Sequence, residues 1–112
     1  MTPNRKKNWL AALRSGKYRH GADQMFNRRE NTYCCLGVLA EISPGIAKKK
    51  VLGNGYVTYE SVNNKEFKSN LMLSNKDLEL LGLPRAHAVE LSSLNDQNTN
   101  YDKAIEYIKV NL

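Results

Sequence analysis

Apolar positions along the chain fall into helical stripes arranged around one nearly continuous run. The run is Asn31 to Ile42, in which Cys35, Leu36, Leu39 and Ile42 recur at helical spacing while Cys34 and Val38 widen the same surface. Asn31 or Thr32 can accept the first free amide hydrogens of such a helix, and Ser43-Pro44-Gly45 stops it. A helix this apolar must be covered on most sides. The pattern therefore predicts a central core helix with the flanking segments packed on it.

Those flanks carry their own signals. Thr2-Pro3 opens a helix from about Asn4 to Ser15, closed by Gly16, with Trp9, Leu10, Ala12 and Leu13 as its stripe. Trp9 lies inside the stripe and reads as a core anchor. Residues 17–32 hold no sustained period and read as a loop, with short extended pieces around Tyr18 and around Met25-Phe26. Gly53-Asn54-Gly55, between β-branched and aromatic neighbours, predicts an antiparallel hairpin near 49–59. Ser61 to Asn70 is polar and expected to be exposed, and Leu71-Met72-Leu73 is a short strand or an apolar lead-in. Ser74 caps a short helix over Asn75–Leu81, with Asp77 as the reciprocal acid and Gly82 closing it. Leu91 to Leu94 makes a turn of helix and Asn95 to Asn98 a turn. Thr99 is expected to cap a last helix over Asn100–Asn111, whose face is Tyr101, Ala104, Ile105 and Ile108, with Tyr107 at the edge. The sum is an α+β fold, a single domain over 1–112, its central helix packed by the first and last helices beside a small antiparallel hairpin.

Composition leaves that picture unchanged: 41% hydrophobic and 25% charged residues are ordinary for a globular chain. No apolar run approaches the roughly 20 residues of a membrane span, and no signal-type stretch follows the basic start, so no membrane partner is expected. Cys34 and Cys35 are neighbours without CxxC or histidine partners, which points to a reducing, cytoplasmic setting, with no metal and no cofactor expected.

Charge does change the picture. Residues 1–50 hold eleven lysines and arginines against three acids, a balance of +8; residues 51–112 hold six against eight, a balance of −2. The asymmetry suggests an anionic partner for the first half or association of unlike surfaces, and a homo-oligomer is expected. Lys17, Arg19, His20, Arg28 and Arg29 gather in the unperiodic segment, with Tyr18 inside it and Tyr33 after it. Cations interleaved with aromatic rings can hold phosphates and stack a base, and a helix amino end follows. Leu94-Asn95-Asp96 reads as a turn that satisfies backbone groups, yet Asn95 and Asp96 could also orient a water or a base. The candidate ligand-binding set is thus Lys17, Tyr18, Arg19, His20, Arg28, Arg29, Tyr33, Asn95 and Asp96. His87, without a second ligand at metal spacing, reads as structural or solvent-facing. Cys34 or Cys35 with His20 could form a nucleophilic pair, but thiols in an apolar run are usually inert.

Trp9-Leu10-Ala11-Ala12-Leu13-Arg14-Ser15-Gly16-Lys17-Tyr18, then Cys34-Cys35-Leu36-Gly37-Val38-Leu39, then Leu94-Asn95-Asp96, resemble in order the W-x-x-A-L-x-S-G-x-Y, C-C-L-G-V-L and L-N-D blocks of a family of small phage and prophage proteins. The likeness spans nearly the whole chain, with His20 standing before Gly21 where the family pattern has glutamine. It implies an accessory protein acting in a host-cell cytoplasm, of a kind that often inhibits host processes, including defence. The expected function is therefore capture of an anionic nucleotide-type ligand, such as a nucleotide immune signal, or blockade of a host protein. Alternatives are a protein that binds nucleic acid or a nucleic-acid enzyme, and a cysteine-dependent nucleotide hydrolase.

Overall fold

The computed structural model describes residues 1–112 as five helices and two small antiparallel sheets around one cluster of 22 buried apolar residues. Helix α1 runs Pro3–Arg14; Thr2 accepts the Arg5 amide at its start and Gly16 turns the chain left-handed (φ 76°) after its end. Helix α2, Cys35–Glu41, sits at the centre with Cys35, Leu36, Val38 and Leu39 inaccessible to solvent. Trp9 of α1 is equally buried and donates its indole N–H to the Cys35 carbonyl at 2.9 Å, so the core anchor also satisfies a polar group.

The central helix starts later than its sequence suggests. Thr32-Tyr33 is strand β2, paired with β1, Phe26-Asn27, in the register Phe26 to Tyr33 and Asn27 to Thr32. A β-branched and an aromatic side chain prefer the pleated surface, so they leave the cap to Cys34, whose Sγ accepts the Gly37 amide at 3.4 Å. Glycine at 37 is a packing requirement. A Cβ there would collide with the Met25 carbonyl oxygen, because the chain entering β1 crosses directly over α2.

Strand β3, Ala47–Val51, pairs with β4, Val57–Ser61, as the expected hairpin, and a third strand β5, Lys68-Ser69, joins β4's other edge. The polar stretch 61–70 is therefore partly structural. Ser61 is buried and donates its hydroxyl to the buried Asp77 carboxylate at 2.9 Å, which engages Asp77 away from any reciprocal cap. Asp77 lies in helix α3, Asn75–Leu81, capped by Ser74 and closed by Gly82 at φ 68°.

Helix α4 spans Arg85–Asp96, twelve residues where the sequence pattern gives only a turn at 91–94. Ala88, Leu91 and Asn95 form its buried face, and the polar residue at the third position hides the period. Asn95 and Asp96 are the last turn of this helix rather than a free loop. Helix α5, Asp102–Asn111, begins with no side-chain cap from Thr99, which is exposed; Asn100 accepts the Asp102 amide instead. Tyr101, Ala104 and Ile108 are buried as their spacing implies, and His87 Nδ1 lies 2.7 Å from the Tyr107 hydroxyl across α4 and α5. No helix is long and apolar enough to cross a membrane.

Candidate functional site

The unperiodic segment 17–33 is held chiefly by the last turn of α4. Asn95, 1% exposed, accepts the Cys35 amide on Oδ1 at 3.0 Å and donates from Nδ2 to the Gly21 carbonyl at 2.8 Å and to Asp96 Oδ1 at 3.1 Å. Its backbone carbonyl lies 2.9 Å from His20 Nε2; a carbonyl can only accept, so the proton sits on Nε2. Asp96 in turn accepts the Asp23 amide at 3.0 Å, holding Asp23 at φ 70°. The loop is also stitched to β2: Gly21 N–H donates to the Tyr33 carbonyl and Tyr33 N–H to the Arg19 carbonyl, with the Tyr101 hydroxyl donating to the Tyr33 carbonyl at 2.6 Å. Asn95 is therefore closed to a ligand: all its polar atoms are used inside the protein. The amino end of α2 is closed as well, its Cys35 and Gly37 amides taken by Asn95 and Cys34.

The basic residues divide. The four-residue turn between β1 and β2 projects Arg28 and Arg29 over a cleft of about 510 Å³ facing the end of the β3–β4 hairpin. Arg28 Nη1 donates to the Gly55 carbonyl at 3.3 Å, which aligns its guanidinium along the wall. Neither arginine has an ion-pair partner; the two ion pairs, Lys49 to Glu41 and Lys50 to Glu60, lie elsewhere. The same cleft is walled by Gln24, Asn70 and Tyr56, whose ring is 72% exposed. Asn70 is itself locked, bonding both Phe26 N–H and Phe26 C=O through its side chain. Two unpaired guanidiniums, an open ring and fixed amides bordering a cleft of this size suit a planar, anionic small molecule.

Tyr18 and His20 line a different cleft of about 410 Å³ with Arg14, Asn100, Tyr101 and Asp102, and it shares no residue with the first. Lys17 is exposed beside Tyr18, its Nζ 5.4 Å from the ring centroid, and Arg19 reaches only the Glu30 carbonyl at 3.4 Å. Tyr33 offers no face for stacking. It is 9% exposed, with its ring against Phe26 (centroids 4.7 Å) and Tyr18 (5.2 Å) and its hydroxyl accepting from Lys49 Nζ at 2.8 Å. An aromatic side chain on β2's inward face buries itself, which the alternation of so short a strand could not announce.

Lys49 is the unexpected member of this neighbourhood. It stands on the inward face of β3, its Nζ 4.0 Å from the Phe26 ring centroid and 3.4 Å from Glu41 Oε1, while Tyr59 donates its hydroxyl to Glu41 Oε2 at 2.8 Å. Burial alone would lower the ammonium's pKa, but the Tyr33 hydroxyl and the Glu41 carboxylate outweigh it and hold Lys49 charged, above its usual value. Burial, followed by the adjacent Glu41, pushes the Tyr59 hydroxyl strongly upward. The network fixes β1, β2 and the hairpin together, and so sets the wall on which Arg28 and Arg29 stand.

The thiols sit where nucleophilic chemistry is disfavoured. Burial pushes Cys34 up to about 11 despite the Gly37 amide, and burial also pushes Cys35, wholly buried with Sγ 3.6 Å from the Leu91 carbonyl, well above the ordinary thiol value. A reactive thiolate needs a depressed pKa and access to solvent, and these two have the reverse.

The chain belongs to a domain family of unknown function, DUF8296, whose family model matches residues 1–112. No curated protein and no solved structure matches the chain.

Proposed function

We propose that this member of a family of unknown function is a phage-type accessory protein that captures an anionic nucleotide-type ligand in the Arg28–Arg29 cleft. The observation that carries the reading is the pairing of two guanidiniums free of ion pairs with the exposed Tyr56 ring across one cleft. Arg28 and Arg29 hold phosphate oxygens bidentately, Tyr56 stacks the base, and Gln24 borders its hydrogen-bonding edge. Tyr56 takes the stacking role that the sequence assigns to Tyr18 or Tyr33. The phage setting rests on the resemblance in the Trp9–Tyr18, Cys34–Leu39 and Leu94–Asp96 blocks, and sequestration follows from a site with binding groups and no activated nucleophile.

A thermal-shift screen at fixed salt tests it, covering cyclic di- and trinucleotides, adenine nucleotides, and short single- and double-stranded oligonucleotides. A ligand that binds the native state alone raises the melting temperature by mass action. The expected result is a shift with one small nucleotide that disappears in Arg28→Ala/Arg29→Ala and shrinks in Tyr56→Ala. Shifts confined to oligonucleotides and fading steeply with salt would replace capture with nucleic-acid binding. No shift with any of them would overturn the nucleotide reading in favour of a host protein target.

A further inference from the structure

Strand β3 is an edge. The three-stranded sheet has the order β3-β4-β5, and nothing pairs with β3 on its far side. The ladder fixes which groups face outward. Leu52 N–H donates to the Tyr56 carbonyl and the Ile46 carbonyl accepts from Val62 N–H, so even-numbered positions of β3 bond to β4. Ala47, Lys49 and Val51 then turn their backbone groups to the free side. The Ala47 amide is used by the Ser43 carbonyl. The N–H and C=O groups of Lys49 and Val51 remain as two hydrogen-bonding pairs along an open edge, beside a Val51 side chain that is 50% exposed.

The side chains along this edge state what it accepts. Lys48 and Lys50 are exposed and point to the same outer face, and Lys65 borders the same basic hollow of about 380 Å³. Glu60 is the one acid there and is engaged with Lys50 at 3.7 Å. A second copy of the chain is a poor occupant, because two β3 strands laid edge to edge bring Lys48 and Lys50 against the same pair of lysines. An acidic strand is a good one.

We propose that β3 is a docking edge for an extended acidic segment of a partner protein, added as a fourth strand. Bonding through Lys49 and Val51 leaves Lys48 and Lys50 at the non-hydrogen-bonded positions, where opposing side chains approach most closely. The segment therefore carries two acids spaced i, i+2 opposite the lysines. The intervening residue falls on the other face, directly opposite Lys49 and diagonal to the half-exposed Val51, and is apolar. The recognised pattern is acid–apolar–acid in a strand, a surface separate from the arginine cleft and independent of its ligand.

The test is fluorescence anisotropy of the intact protein with three labelled peptides of equal length. One alternates glutamate and valine, one replaces every valine by proline with the charge unchanged, and one alternates lysine and valine. The first is expected to bind, the second at least tenfold more weakly because it cannot donate to the edge, and the third not at all. Lys48→Glu/Lys50→Glu should weaken the first at least tenfold, whereas Arg28→Ala/Arg29→Ala should leave it unchanged. Val51→Pro removes an outward N–H without touching the β3–β4 ladder, and should also abolish binding while a melting curve reports the fold. Equal binding of the glutamate–valine and proline peptides would reduce the effect to bulk charge and overturn the proposal. So would no binding at all. Sedimentation showing a dimer that Val51→Pro dissociates would assign the edge to a second copy instead.

Discussion

Asn95→Ala is the substitution on which most of the loop architecture depends. It removes the acceptor for the buried Cys35 amide at 3.0 Å and the donor to the Gly21 carbonyl at 2.8 Å. Stripping the buried Cys35 amide of its partner costs about 1–3 kcal/mol and the half-buried Gly21 carbonyl adds less, so the loss is roughly 2–4 kcal/mol. A domain of this size has a total stability of about 5–15 kcal/mol, so the loss is a large share. Urea unfolding followed by circular dichroism should show it, and thermal melting should show a midpoint lower by at least about 8 °C, since about 1 kcal/mol moves the midpoint by roughly 4 °C. Asp96→Asn is the control. Asp96 is exposed and the replacement keeps an acceptor for Asp23 N–H, so the change should stay within about 0.5 kcal/mol. Asn95→Asp adds a diagnostic. A carboxylate there would face the Gly21 carbonyl and Asp96, raising its folded pKa above the unfolded value near 4. The folded state then binds the extra proton, and stability falls as pH rises from that value through the folded pKa. The variant should accordingly be less impaired at pH 4 than at pH 7. A loss below about 1 kcal/mol in Asn95→Ala, with an unchanged denaturant slope, would mean that Asn95 does not hold the loop.

Other expectations follow from the same geometry. Gly37→Ala drives a methyl into the Met25 carbonyl and should cost about 3 kcal/mol or prevent folding, read from melting temperature and soluble yield. With Cys34 up at about 11 and Cys35 also well above the ordinary thiol value, native protein at pH 8 should react with a thiol reagent at least a hundredfold more slowly than urea-unfolded protein. Because the folded Cys34 value exceeds the unfolded 9.0, its contribution to stability is held below pH 9 and lost between about pH 9 and 11, a decline that Cys34→Ser should blunt. Lys49→Ala should lower stability by about 1 kcal/mol, the modest value fitting an ammonium that is a quarter exposed, and a double-mutant cycle with Glu41→Gln should give a coupling of about 0.5 kcal/mol.

What the sequence discloses tracks how locally each feature is encoded. Helix α1 carries its cap, its proline and its terminal glycine within sixteen residues, and α3 its serine and glycine within nine, so both are readable in place. Helix α4 is not, because its third core position holds Asn95, a residue chosen for backbone groups 60 and 74 positions away. Thr32 and Tyr33 could serve a helix start or a strand equally well, and pairing with Phe26-Asn27 decides between them. The basic and aromatic residues of 17–33 announce their chemistry but not their directions. Arg28 and Arg29 meet Tyr56 only because a four-residue turn and a hairpin face one another, whereas Tyr18 and His20 turn to α1 and α5. Lys49 escapes sequence reading for a related reason: in a run of three lysines, only the ladder register shows which one points inward.

The most direct measurement is an NMR titration of the ¹⁵N-labelled protein, following arginine Nε–Hε and backbone amide signals, with the small nucleotide that gives the largest thermal shift. Saturable shifts at Arg28 and Arg29 Nε–Hε and at the Gly55 and Tyr56 amides are expected, with the Tyr18 and His20 amides unmoved. Shifts confined to Tyr18, His20 and Asn100, or none at either cleft, would contradict the assignment of ligand capture to the arginine cleft.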